Sequence, residues 1–232
     1  MRKINAALFI LLFLVTSACQ PEETEVNTPQ RYWGEIYARY LAPDQAYKTE
    51  LTFMSGDSAS TALPTRIEGD VLIENQNMSA QQLSETLVRY QLDYKAEFKP
   101  SIKFNFQTPD FKRKELPVSF KTLPAFEIKD QVIRQSTGSQ IFLSSPLQLS
   151  EEERILIMLS DVQKQTASIA ISGPAQLDTI TLLPNQLKAL GKTGTGNIYL
   201  LSKRKGVLRD KDITWTYLLE YYTEEQSVEI LE

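Results

Sequence analysis

Histidine is absent from this 232-residue chain, and cysteine occurs once, at Cys19. Histidine is the commonest general base and the commonest zinc ligand. Its absence excludes a Ser-His-Asp or Cys-His nucleophile, a zinc hydrolase and a His-carboxylate iron site. A single cysteine cannot close a disulfide within the chain. Nine glycines and eleven prolines are too few for a low-complexity or collagen-like chain. The composition is otherwise that of an ordinary globular protein, 42% hydrophobic and 23% charged.

The first residues read as an address. Met1, Arg2 and Lys3 form a basic start, and residues 6–15 are an unbroken apolar run. Ten residues rise about 15 Å as a helix, short of the ~30 Å hydrocarbon core of a bilayer. The run suits the apolar segment of a signal peptide, and the small residues Thr16, Ser17 and Ala18 follow it. The string Leu14-Val15-Thr16-Ser17-Ala18-Cys19 resembles the lipobox of bacterial lipoproteins, with Thr16 where that family usually carries leucine. The resemblance implies removal of residues 1–18, lipid chains on Cys19, and attachment to a membrane through that lipid. Gln20, rather than aspartate, after the cysteine implies the outer membrane. Glu22, Glu23 and Glu25 look like the short export signals of some surface lipoproteins, and a solvated tether explains them equally well.

Loss of residues 1–18 removes Arg2 and Lys3 and no acid, leaving 23 basic against 29 acidic side chains, a net charge of −6. Such a balance offers no electrostatic footprint for nucleic acid or anionic lipid. The expected membrane partner is therefore met through the lipid alone.

Beyond the polar tether, residues 19–30, the dominant periodicity is two. Tyr90, Leu92, Tyr94, Ala96 and Phe98 alternate with polar neighbours, as do Ile102, Phe104 and Phe106, and later Ile213, Trp215, Tyr217, Leu219 and Tyr221. Shorter strands are expected over 36–40, 49–53, 70–73, 126–128, 141–143, 155–159, 168–171, 179–182 and 198–201. Residues 79–86 and 185–190 are the only helical turns expected. Many short strands separated by turn signals predict an all-β sandwich or barrel. The segment 109–124, with three prolines and the basic run Lys112-Arg113-Lys114, marks the best boundary. It divides the folded part into 31–115 and 116–232, each near the size of an immunoglobulin-like sandwich. On these strands and the late pattern Ile180, Leu182, Pro184, Leu187, Leu190, Gly191, Ile198, the chain is similar to two-domain, immunoglobulin-like surface lipoproteins of Gram-negative bacteria. That resemblance implies two tandem sandwiches and no reaction. A single elongated sandwich is the other architecture compatible with the pattern.

Few constellations carry chemistry. Gly191-Lys192-Thr193-Gly194-Thr195-Gly196 invites a phosphate-loop reading, but the position five before Gly191 is Gln186 and no helix follows. A glycine-rich hairpin turn is expected there instead, and no nucleotide. Asp57 with Asp210 and Asp212 falls short of a calcium cage, so neither metal nor cofactor is expected. Glu151, Glu152 and Glu153 read as a solvated loop, and Lys203-Arg204-Lys205 with Arg209 and Lys211 as a basic hairpin region, ordinarily a solvated turn. The aromatics of the first half are more pointed. Ile36, Ala38 and Tyr40 would form one face of a strand, and Trp33, Glu35, Tyr37 and Arg39 the other. A mixed face of Trp, Tyr, Glu and Arg suits a sugar- or protein-binding surface, so Trp33, Tyr37 and Arg39 are the candidate ligand-binding residues. Trp215 is expected in the core. The sum is a non-enzymatic, lipid-anchored envelope module whose partner is an envelope protein or a glycan. A carbohydrate-binding accessory role stands second and a carboxylate-dependent glycan hydrolase third.

Overall fold

A computed structural model describes residues 31–67, 69–107, 113–191, 193–210 and 213–232. Cys19, the signal peptide and the tether lie outside the described residues, as do Pro109, Lys112, Lys192, Lys211 and Asp212. The described chain is all-β.

The first strands follow directly from side-chain alternation. In β1 (Arg31–Leu41) Tyr32, Gly34, Ile36, Ala38 and Tyr40 are buried while the residues between them are not. Strand β2 (Ala46–Gly56) turns back on β1 in antiparallel register through residues 42–45, where the Gln45 N–H donates to the Ala42 carbonyl at 3.1 Å. Three strands extend this side: β3 (Leu63–Pro64) on β2, and then β7 (Val88–Lys95) and β6 (Ser79–Gln82). The other edge of β1 takes a strand from far along the chain, β17 (Ile213–Tyr222), in parallel register with Gly34 opposite Trp215. Facing these is a smaller sheet of β5 (Gln76–Asn77), β4 (Leu72–Ile73), β8 (Ser101–Gln107) and β9 (Arg113–Ser119). The inner faces of both sheets share one core, in which Leu51, Phe53, Ile73, Ile102, Phe104 and Trp215 are essentially inaccessible. Each such side chain contributes roughly 1.5–3 kcal/mol by leaving water.

A second core lies between two further layers. One is β10 (Phe126–Ile128), β12 (Ser139–Leu149) and β15 (Ala175–Leu182). The other is β14 (Thr166–Ser172), β13 (Glu153–Ser160), the start of β16 (Gly194–Asp210), β18 (Gln226–Leu231) and β11 (Val132–Arg134). A four-residue helix, α1 (Pro184–Leu187), inserts Leu187 into this core.

Strand β16 joins the two halves. Ile198 and Leu200 belong to the second core, while Leu208 packs on the first. Because β16 pairs with β13 and β18 early and with β17 late, one sheet runs through both. Polar contacts tie the crossing point. Ser202 Oγ donates to the Lys121 carbonyl at 2.5 Å, and Arg204 Nη1 to the Ser119 carbonyl at 3.2 Å. Buried Glu153 accepts from its own loop at Ser150 N–H, 2.9 Å, and faces Lys121 Nζ at 3.4 Å and Arg204 Nε at 3.9 Å.

Several local expectations change. Residues 79–82 are strand, because they pair in register with β7, whereas the single helical turn at Pro184–Leu187 is as expected. The basic run at 203–209 is strand rather than turn: it forms the second half of β16 and pairs unbroken with β17 from Leu201 to Asp210, as one arm of a hairpin. The glycine-rich loop leads from α1 into β16 rather than joining two strands. Gly194 there takes φ +128°, and a methyl at Gly196 would stand 2.4 Å from Ile230 and from the Ser160 carbonyl. Glu153 is not solvated like Glu151 and Glu152. Trp215 is in the core, 1% exposed.

Candidate functional site

With the inner face of β1 committed to the core, Trp33, Glu35, Tyr37 and Arg39 share the outward face of the large sheet, as the alternation of the sequence requires. Glu35 is exposed and the other three are half-buried. Register brings them neighbours that no local pattern reveals. Tyr37 stands between Leu218 of β17 and Glu50 of β2, and Arg39 between Glu220 and Lys48.

Glu220 is the hub of this face. Its carboxylate is buried, yet it accepts from Tyr37 Oη at 3.0 Å and Tyr222 Oη at 3.1 Å, and meets Lys203 Nζ at 2.7 Å. A buried carboxylate persists only when its oxygens are met in this way. Both phenols answer to it: burial, then the nearby Glu220 charge, pushes the pKa of Tyr37 well above the ordinary value and raises that of Tyr222. The two hydroxyls therefore stay protonated as donors through neutral and moderately alkaline pH. Arg39 lies over the Tyr222 ring, 5.8 Å from its centroid, and among the described residues its buried Nε has no hydrogen-bond partner.

Beside Tyr37 the face opens into a groove of about 280 Å³, lined by Glu35, Glu50, Thr52, Arg89, Thr216 and Leu218. Lys48 and Arg89 each approach Glu50 at 3.3 Å, fixing it in place. Such a groove offers hydroxyl, carboxylate and guanidinium groups to a polar ligand beside an aromatic edge, and the half-buried Trp33 lies about 13 Å further along the strand.

The sequence places Trp33, Tyr37 and Arg39 together correctly. It does not point to Glu50, Arg89, Lys203, Glu220 or Tyr222. The alternation within 213–221 does assign Glu220 and Tyr222 to one face of their strand, but nothing local says that β1 lies alongside. Elsewhere Asp210 pairs with Lys114 at 2.6 Å and Asp57 is exposed. Among the described residues no cluster of three or more acids is placed to hold a metal ion, and no helix is long and apolar enough to cross a membrane.

The fold and this face together define an all-β protein of sandwich-like layers with an open, mixed aromatic and charged sheet surface. The chain matches no protein-family model and no curated protein.

Proposed function

We propose that this chain is a non-enzymatic lipoprotein of the outer membrane, held by lipid on Cys19, whose two immunoglobulin-like sandwiches work as an interaction module of the cell envelope. The lipobox string ending at Cys19 supports the anchor. The observation that carries the binding role is the outward face of β1, where Trp33, Tyr37 and the groove between Glu35, Glu50 and Arg89 share one open surface. Rigid strands, rather than loops, hold these groups, so a ligand meets a preorganised surface. The groove gives a specific reason to keep a glycan as the second reading of the partner. Vicinal hydroxyls suit a carboxylate and a guanidinium side by side, and the aromatic edge suits the apolar face of a sugar ring. Glu50, engaged by two cations, serves there as a fixed acceptor rather than as a proton donor for hydrolysis.

Two experiments test the reading. Membrane fractionation with Cys19→Ser should release the protein from the lipid-anchored fraction. Retention of that variant without acylation removes the anchor. On a broad glycan and envelope-protein array, the chain should bind a ligand whose retention falls at least tenfold on Trp33→Ala or Tyr37→Ala. Binding indifferent to both substitutions removes the proposed face.

A further inference from the structure

A strand at the edge of a sheet leaves half its backbone groups without a ladder partner, and edges are ordinarily blunted by shortness, charge, proline or a bulge. Most edges of this protein are. Strands β3, β5, β6, β10 and β11 run only two to four residues. Strand β9 carries Arg113, Lys114 and Pro117, and β15 carries Asp178 and pairs with β12 across a break in register. Strand β14 is the exception. It reads Thr-Ala-Ser-Ile-Ala-Ile-Ser over residues 166–172, with no charge, proline or glycine, and keeps unbroken register with β13. Among the described residues β13 is its one ladder partner.

The hydrogen bonds at its two ends fix which groups are free. Gly173 N–H donates to the Glu153 carbonyl and Asp161 N–H to the Gln165 carbonyl, both at 3.0 Å. Antiparallel pairs alternate, so Ala167, Ile169 and Ile171 bond to β13, while the N–H and C=O groups of Thr166, Ser168, Ala170 and Ser172 point away from it. All four of these residues are exposed, so the edge is open to solvent along its length. Beneath it, at the open side of the second core, Ile171 and the Ala175 and Leu177 side chains of β15 are only partly buried. The two ends of the edge differ in sign. Lys164 lies in the turn before β14, and Glu151 in the turn before β13, which passes beside Gly173. Both are exposed and, among the described residues, in no ion pair. Arg154, the cation near the Glu151 end, is held on Ser172 Oγ at 3.0 Å.

We propose that β14 pairs edge to edge with β14 of a second copy, antiparallel, about a two-fold axis through Ile169. A two-fold perpendicular to the sheet requires antiparallel pairing of identical edges, and the strand is self-complementary in that register. On the inner side Ile169 meets Ile169, and each Ile171 meets the small Ala167 of the other copy, which covers its exposed part. A shift one way would set Ile169 against Ile171, and a shift the other way Gln165 against Ile171, so the packing selects this register. On the outer side Thr166 meets Ser172 and Ser168 meets Ala170, small side chains without like charges, and the hydroxyl pairs suit cross-strand hydrogen bonds. The free N–H groups of the four outward residues on each copy all find carbonyls. The unpaired charges then meet twice: Lys164 lands opposite Pro174 of the second copy, one strand from that copy's Glu151. A seven-residue edge is about 24 Å long, and with the facing edge of β15 it covers roughly 450 Å² per copy, the area of a weak, reversible contact. Strand β1 lies four strands away in the same sheet, so the groove beside Tyr37 stays open in the dimer. This inference rests on neither the lipid anchor nor a ligand.

Sedimentation equilibrium of the full chain in density-matched detergent tests the pairing. The wild type should dimerise with a Kd of about 10–100 μM. Ser168→Pro removes an outward N–H that β13 does not use, and Ser168→Lys places a charge on the edge beside its own counterpart. Both should abolish association, and the lysine variant keeps the test valid if proline disturbs the strand. Lys164→Glu and Glu151→Lys should each weaken the dimer about fivefold, and the double variant should return to within about twofold of wild type. Unchanged urea midpoints establish that the variants are folded. A wild-type monomer at every concentration up to about 1 mM overturns the proposal and leaves the edge to the strand of another protein. A dimer that survives Ser168→Lys, or a double variant no tighter than the single ones, overturns it equally.

Discussion

Replacing Gly34 by alanine is the sharpest test of how the two ends of the chain meet. Glycine in a strand interior is ordinarily a weakness, and alanine there gains roughly 0.5–1 kcal/mol where space allows. Here the space is occupied. A methyl on Gly34 would stand 2.0 Å from Cζ3, 2.2 Å from Cε3 and 2.7 Å from Cη2 of Trp215. The indole cannot swing aside, because Phe53 and Phe106 crowd it with ring centroids 4.7 and 5.2 Å away. Overpacking of a well-filled core costs typically 1–3 kcal/mol, and a clash with a ring pinned on two sides belongs at the upper end. The expected loss is about 3 kcal/mol, or roughly 6–12 °C in Tm for a chain of this size.

Thermal unfolding followed by near-ultraviolet circular dichroism measures the loss and reports the indole environment together. Trp215→Phe alone should cost about 1–2 kcal/mol through the cavity it leaves. In the double variant the new methyl occupies part of that cavity, so the combined loss should fall short of the sum by at least about 1 kcal/mol. Strictly additive losses, or a Gly34→Ala protein as stable as wild type, would mean that β17 does not lie against β1 in this register.

Three further outcomes are expected. Burial holds Tyr47 up to about 12 against an ordinary value of 10.0, and it raises Tyr37, Tyr94, Tyr221 and Tyr222 as well. The unfolded chain therefore releases these protons first as pH rises. Their contribution is whole below pH 10 and falls above it by about 1.4 kcal/mol per pH unit for each tyrosine still protonated in the fold. Urea midpoints should match at pH 8 and 9 and drop sharply by pH 11, and a flat profile would contradict the burial. At the crossing of the two cores, Glu153→Ala strips a partner from Ser150 N–H, Lys121 and Arg204 and should cost about 2 kcal/mol in urea unfolding, with Glu153→Gln intermediate. Asp161 accepts from the N–H groups of Gln163, Gln165 and Gly191 at 2.8–3.0 Å, so Asp161→Ala should cost about 2–4 kcal/mol and speed hydrogen exchange at Gly191.

What the sequence discloses, and what it hides, divides along the range of the interactions. Period-two patterning is local, so the faces of β1 and β17, the burial of Trp215 and the grouping of Trp33, Tyr37 and Arg39 could all be read from neighbours in the chain. Patterning fails where a residue's partner, not its type, decides its fate. Arg113 to Ser119, in a segment read as a boundary, becomes strand because β8 offers it a ladder. Lys203, Arg204 and Lys205 read as a turn because three consecutive cations rarely sit in a sheet. They do so here because Glu220 meets Lys203 on one face while Glu152 and Glu153 meet Arg204 on the other. Glu220 itself looks like one more acid on the polar side of a strand, and only the parallel neighbour turns it into the acceptor of Tyr37. That neighbour arrives 183 residues later. Parallel pairing needs a crossover and leaves no short-range turn signal. The outward face thus carries groups of both kinds: the aromatics are written in β1, and the charges that orient them are supplied by β17 and β16. A ligand-binding role that depended on Tyr37 alone would have been legible in the sequence; one that depends on Tyr37 held by Glu220 requires the fold.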